Sequence, residues 1–209
     1  MRTLISISGG GSFAKLARDH HDGLLEGEIH IVADRPGSAF ADHLIEKRGN
    51  ADYFEQFLAL ADTYDVIMLT SNWILPEFVV DALAGRLLNQ HPSLLPAFPG
   101  LNIWDEIAAS GVRFSGSTIH FVSAGVDEGP ILCQTAFPVP PKTTGDELCR
   151  LHWVAARPAF VQALRWMQQG RVTLDPTIGE VVIDGAVFEP GSVSPNLEFD
   201  PSRLPLQVS

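Results

Sequence analysis

Asn89 and His91 stand two residues apart, at the end of a short apolar run and directly before the loop Pro92-Ser93-Leu94-Leu95-Pro96-Ala97-Phe98-Pro99-Gly100. In an extended segment side chains alternate, so both would face the same way. A side-chain amide that donates a hydrogen bond, set beside an imidazole that gives or takes a proton, suits a reaction passing through a tetrahedral oxyanion. Asp127 adds a carboxylate from the glycine-rich loop Ser123-Ala124-Gly125-Val126-Asp127-Glu128-Gly129. A carboxylate beside an imidazole favours its charged form and fixes its tautomer. Singly, such a His is more often a satisfied core residue and such an Asp a turn residue; together with Asn89 they make a set for acyl transfer, with no serine or cysteine nucleophile identifiable. His120, on an alternating segment, reads as support for that set. A zinc site of His91, His120 and Asp127 lacks any close ligand spacing such as His-x-x-x-His, and no metal is expected.

A second constellation is the turn Ser8-Gly9-Gly10-Gly11-Ser12. Gly9-x-Gly11-x-x-Ala14, followed by Asp34 about 20 residues on, matches the dinucleotide-binding pattern. Three readings compete: a backbone cradle for the phosphate of a smaller ligand, a dinucleotide site, and a plain tight turn. We place them in that order, because nothing else in the chain makes use of a nicotinamide. His20 and His21 read as inert.

The elements that must position these groups follow from pattern. Residues 3 to 7, 28 to 33, 65 to 70 and 86 to 89 read as strands, the second parallel to the first across a crossover helix at 13 to 25. Residues 40 to 48, 53 to 62, 76 to 84 and 101 to 110 read as helices. Residues 116 to 122 and 130 to 139 add two strands. A long amphipathic helix covers about 144 to 169, with Pro158 expected to kink or split it. The tail from about 171 suggests a short hairpin around Asp184-Gly185. The expected fold is an α/β Rossmann-like open, mostly parallel sheet with helices on both faces, one domain over 1–209. In such sheets ligands sit at the C-terminal strand edge, where the loop after His91 leaves.

Composition narrows the partners. A chain of 209 residues with 45% apolar and 19% charged residues fits one folded domain. Its net charge of −11, from 14 basic and 25 acidic residues, disfavours nucleic acid. No run approaches the roughly 20 apolar residues of a membrane span, and no signal peptide is seen, so a cytoplasmic protein without membrane partners is expected, as monomer or homodimer. Cys133 and Cys149, with no Cys-x-x-Cys, read as incidental thiols.

The segment Gly85-Arg86-Leu87-Leu88-Asn89-Gln90-His91-Pro92-Ser93-Leu94-Leu95-Pro96, with Gly116-Ser117-Thr118-Ile119-His120-Phe121-Val122, Val126-Asp127-Glu128-Gly129-Pro130 and Ile7-Ser8-Gly9-Gly10-Gly11-Ser12, resembles the phosphoribosylglycinamide formyltransferase family. The resemblance implies a formyltransferase domain that moves a formyl group from 10-formyltetrahydrofolate, a co-substrate, to a small amine, most directly glycinamide ribonucleotide in purine biosynthesis. It implies Asn89 and His91 on the tetrahedral intermediate and Asp127 relaying protons. By the same resemblance, backbone at Gly11, Ser12 and Phe13 holds the substrate phosphate, the pterin lies against Asn72, Trp73, Ile74, Leu75 and Val126, and Arg48 meets the folate tail.

The chain departs from the family at the acceptor side: Phe13 replaces an Asn, and Trp153 falls where a Glu holds the acceptor. Trp73 stands where an Arg is usual, and the region between 35 and 64 is short. An amino sugar or hydroxylamine of a specialised metabolite is therefore the alternative acceptor. From other classes, an NAD-type oxidoreductase using Gly9, Gly11, Ala14 and Asp34, or a folate-binding module without turnover, are the competing functions. Formylation of initiator tRNA is disfavoured by the acidic charge and the lack of a further C-terminal domain, and formyltetrahydrofolate hydrolysis by the lack of an N-terminal regulatory domain.

Overall fold

The computed structural model describes residues 1–8, 11–19, 23–71, 73–175 and 179–204. In chain order these form β1 (Arg2–Ile7), α1 (Ser12–Asp19), β2 (Glu28–Ala33), β3 (His43–Leu44), α2 (Tyr53–Ala61), β4 (Val66–Thr70), α3 (Glu77–Ala82), β5 (Leu87–His91), α4 (Trp104–Ser110), β6 (Phe114–Phe121), β7 (Ile131–Pro138), α5 (Gly145–Gln168), β8 (Val172–Asp175), β9 (Glu180–Ile183) and β10 (Val193–Ser194). Eight of the described strands make one sheet in the order β10-β7-β6-β5-β4-β1-β2-β3. From β5 through β4, β1 and β2 to β3 the pairs are parallel; from β5 through β6 and β7 to β10 they are antiparallel. β5 is therefore the seam between the two halves.

Period-two alternation sorts the strand residues onto two cores. Ile5, Ile7, Met68, Leu88 and Ile119 pack against Leu16 of α1 and Phe160, Leu164 and Trp166 of α5. Leu4, Ile67, Leu69 and Leu87 pack against Phe57 of α2 and Val79 of α3. Helices thus cover both faces, as expected for a sheet whose central strands are apolar throughout. Thr144 and Glu147 start α5 with a reciprocal capping box.

Several expectations change. Residues 40 to 48 are not helical; His43 and Leu44 instead form β3 at the sheet edge, where Val32 and Ala33 supply the ladder partners. The crossover helix ends at Asp19, short of Leu25, whose side chain is buried in the core. Pro158 does not split α5, which runs unbroken from Gly145 to Gln168. The carbonyl deprived of an N–H partner there belongs to Val154, 44% exposed, where water can serve it. The tail hairpin pairs β8 with β9, so its turn precedes Glu180, and Asp184-Gly185 forms a later turn. Its carbonyl at Asp184 accepts from the Arg171 guanidinium, 2.7 Å away. His20 and His21 lie outside the described residues.

Candidate active site

β5 carries Leu87, Asn89 and His91 toward the α2–α3 face and Leu88 and Gln90 toward α5. The antiparallel register with β6 then sets Asn89 opposite His120 and His91 opposite Thr118. Asn89 Nδ2 lies 3.2 Å from Nε2 of His120, while His120 Nδ1 is 2.9 Å from the carbonyl of Phe121. A carbonyl accepts only, so Nδ1 carries the hydrogen and Nε2 accepts from Asn89. Burial pushes the His120 pKa down, against its backbone bond to Phe121 and the nearby Asp127, and keeps the ring neutral. One amide hydrogen of Asn89 is thereby fixed, and its second remains for a ligand.

His91 is 3% exposed. Its Nε2 donates to the carbonyl of Phe98 at 2.7 Å, and its Nδ1 lies 3.3 Å from Oδ2 of Asp127. The Phe98 carbonyl is set by the loop between β5 and α4. Thr118 Oγ1 donates to the Ser93 carbonyl (2.7 Å) and accepts from the Leu95 amide (3.0 Å), and Ser93 Oγ donates to the Ala97 carbonyl (2.5 Å). Phe98 itself takes a left-handed backbone, φ 55°.

Asp127 is also left-handed, φ 56°, a conformation Asp tolerates better than most residues. Its Oδ2 accepts the Gly100 amide at 2.7 Å, and its Oδ1 is 3.7 Å from His120 Nε2. Gly129 lets the loop fold back on β6, since a Cβ there would stand 1.7 Å from the Phe121 carbonyl oxygen. Asn89, His91, His120 and Asp127 are thus brought together, 38 residues apart at the extremes by their numbers. Three of the four ring nitrogens are engaged in hydrogen bonds to Phe98, Phe121 and Asn89, and the fourth, His91 Nδ1, faces Asp127.

Three linked hollows meet at this centre. One is lined by Trp73, Ile74, Leu75 and Val126, with Asn89, His120 and Asp127. A second holds Asn89, His91 and Asp127 with Ser71 and Trp104. A third, on the α5 side of β5, is lined by Gly11, Ser12, Phe13, Gln90, Trp104, His152 and Trp153. Arg48 lines a separate cleft that shares Trp73. Asn72 and Gly9 lie outside the described residues. Asp34, the acid of the dinucleotide pattern, is buried and accepts from Ser8 Oγ and from Trp73 Nε1 at 2.8 Å, so it anchors Trp73.

Sequence reasoning missed Phe98 and Gly100, whose backbone atoms carry no residue-type signal. It also missed Gln90 and His152, whose side chains meet at 2.9 Å. Alternation alone would have found Gln90, because the side chain between Asn89 and His91 turns to the α5 side, where it meets His152.

The pattern described as Formyl transferase matches residues 30–164. The chain belongs to the formyl transferase family. The matched stretch contains Asn89, His91, His120, Asp127 and Trp153, and the glycine turn precedes it. Within the family's reach, the chain is 27% identical over 191 residues to the phosphoribosylglycinamide formyltransferase of Escherichia coli (strain K12), covering 83% of this chain and 90% of that one. It is 40% identical over 94 residues to the trifunctional purine biosynthetic protein adenosine-3 of Drosophila melanogaster; that match is 45% of this chain and only 7% of the fly protein's length. Among solved structures of the formyl transferase fold, glycinamide ribonucleotide transformylase 1 from Symbiobacterium toebii superposes with a TM-score of 0.80 at 29% identity, covering 88% of this chain and 93% of that one.

Proposed function

We propose that the chain transfers the formyl group of 10-formyltetrahydrofolate to the amine of a small acceptor, with glycinamide ribonucleotide, in purine biosynthesis, the first acceptor to test. The observation that carries this reading is the joining of the Asn89 amide, the His91 imidazole and the Asp127 carboxylate at one cleft of a formyl transferase family fold. The folate would lie in the hollow of Trp73, Ile74, Leu75 and Val126, its tail toward Arg48. The amine would approach from the Phe13–Trp153 side, with any phosphate on the backbone of Gly11, Ser12 and Phe13.

The amine nitrogen attacks the formyl carbon. Negative charge grows on the formyl oxygen and meets the second amide hydrogen of Asn89. Phe98 already holds Nε2 of His91, so the hydrogen this ring offers is on Nδ1, present in the imidazolium that the Asp127 carboxylate supports. Asp127 then takes the proton shed by the amine and returns it toward N10 of the folate as the carbon–nitrogen bond to N10 breaks. Both substrates are soluble metabolites, which fits a cytoplasmic reaction, and among the described residues no helix is long and apolar enough to cross a membrane.

The test is the absorbance change on deformylation of 10-formyl-5,8-dideazafolate with and without glycinamide ribonucleotide or another small amine. Acceptor-dependent turnover is expected. Deformylation at the same rate without acceptor would make the chain a hydrolase, and protection of the fold by NAD but not by a folate analogue would restore the oxidoreductase reading.

A further inference from the structure

Trp73 borders the hollow of Ile74, Leu75 and Val126, the hollow of His91, and the cleft of Arg48. It stands on the connection between β4 and α3, so no strand ladder fixes it and its ring must be held by side chains. An indole N–H donates and cannot accept. Here it donates to Ser8 Oγ at 2.7 Å and to Asp34 Oδ2 at 2.8 Å, and Ser8 Oγ donates in turn to the same Oδ2. Other rings and a cation set its plane. Tyr53 stacks on it, centroids 5.0 Å apart and planes 12° from parallel; Phe54 meets it edge-on at 6.4 Å; and Lys47 Nζ stands 3.0 Å from its centroid.

Asp34 joins these contacts. Its side chain holds the indole, and its main-chain carbonyl accepts the amide of Lys47 at 3.0 Å, so the cation over the ring hangs from the same residue. A hydrogen bond accepted by a carboxylate is roughly twice as strong as one between neutral groups. An acid at the end of β2 is the group that a dinucleotide site turns toward a ribose; in this chain it is turned to a tryptophan 39 residues away. Asp34 is 7% exposed and lines neither hollow that contains Asn89, so it reaches a ligand at those hollows through Trp73.

We propose that Asp34 is a positioning residue for the folate donor: by fixing Trp73 it sets the wall against which the donor's planar ring system lies, while itself standing outside the reacting centre. The inference rests on the formyl-transfer reading above and assigns a residue to the donor side of that site. A ring already held in place offers its face without first losing rotamer freedom, which favours binding. That contribution is the same in the ground state and the transition state, so it acts on the KM of the donor and leaves kcat unchanged.

The test measures kcat and both KM values with 10-formyl-5,8-dideazafolate as donor and glycinamide ribonucleotide as acceptor, together with the Kd of unformylated 5,8-dideazafolate by calorimetry. Asp34→Leu, of similar size and without an acceptor, should raise the donor KM and that Kd about tenfold, with kcat and the acceptor KM within about threefold of native. Asp34→Ala carries the same expectation and replaces the Leu variant if that one does not fold. Asp34→Asn, whose amide oxygen still accepts the indole N–H, should bring the donor KM back to within about threefold. Trp73→Phe removes the N–H, and in that background Asp34→Leu should change the donor KM by less than about twofold, because the two residues act through one bond. A KM does not depend on how much of the preparation is folded, so partial misfolding does not imitate this pattern. A donor KM that stays within threefold in Asp34→Leu, or an equal rise with and without the Trp73 indole, overturns the inference. Absence of turnover in the native chain with every acceptor overturns the formyl-transfer reading instead, and the Kd series then judges Asp34 by itself.

Discussion

Asn89 hands one of its two amide hydrogens to Nε2 of His120 across the β5–β6 pair, at 3.2 Å. The bond exists only while His120 is neutral, and burial provides for that by lowering its pKa. Asn89→Ala should lower kcat by about 10²–10³, the usual cost of one oxyanion donor. His120→Phe, which keeps the ring but offers no acceptor, should cost about tenfold in kcat with the folate KM little changed, and His120→Gln should recover part of that loss. Steady-state kinetics on the three variants decide it; a His120→Phe enzyme at native rate would make the bond incidental.

Asp127→Asn tests the carboxylate without disturbing the backbone, because Asn accepts the left-handed φ as readily as Asp. Turnover should fall by about 10² or more, the range of general acid–base catalysis, while the melting temperature moves little. A loss below about fivefold would remove Asp127 from the proton path.

Gly129→Ala places a methyl 1.7 Å from the carbonyl oxygen of Phe121, a backbone atom that cannot step aside alone. We expect about 1–3 kcal/mol of destabilisation by urea titration, together with lost activity as the loop drags Asp127 off His91. Native stability in this variant would show that the loop has room to shift.

His152 makes stability depend on pH. Its folded-state pKa, about 3, is below the unfolded value near 6.5. Below pH 6.5 the unfolded chain takes up a proton that the folded chain refuses, so the stabilisation is complete above 6.5 and is lost as pH falls toward 3. The difference in unfolding free energy between the native chain and His152→Gln should therefore shrink by about 1.4 kcal/mol per pH unit in that window. A difference that stays flat from pH 7 to 4 would mean that the ring is solvated enough to protonate in place.

What the sequence made readable was local. The β-branched run at residues 3 to 7 and the stop at Gly85 both sit where the strands and turns form, and the two-residue spacing of Asn89 and His91 follows from strand periodicity. The edge strand at His43 and Leu44 was not readable, since two residues are too few to show a period and their strand state comes from the open edge of β2. Phe98 and Gly100 were hidden for a different reason: they act through backbone groups whose direction is set by a fold-back that Ser93 and Thr118 close. Trp73 was expected beside a folate, and its tie to Asp34 could be seen only once residues 39 apart stood within 2.8 Å.

Because neighbouring side chains on β5 point to opposite faces, Asn89 and His91 meet Asp127 on one side while Gln90 meets His152 on the other. A lineage could rewrite the α5 side, at Phe13, His152 and Trp153, and acquire a new acceptor while the odd-numbered positions Asn89 and His91 kept the same donor chemistry. Acceptor and donor are in this sense separately inheritable traits, one written on α1 and α5 and the other on β5, and substitutions at positions 13 and 153 are where divergent members of such a lineage should differ first.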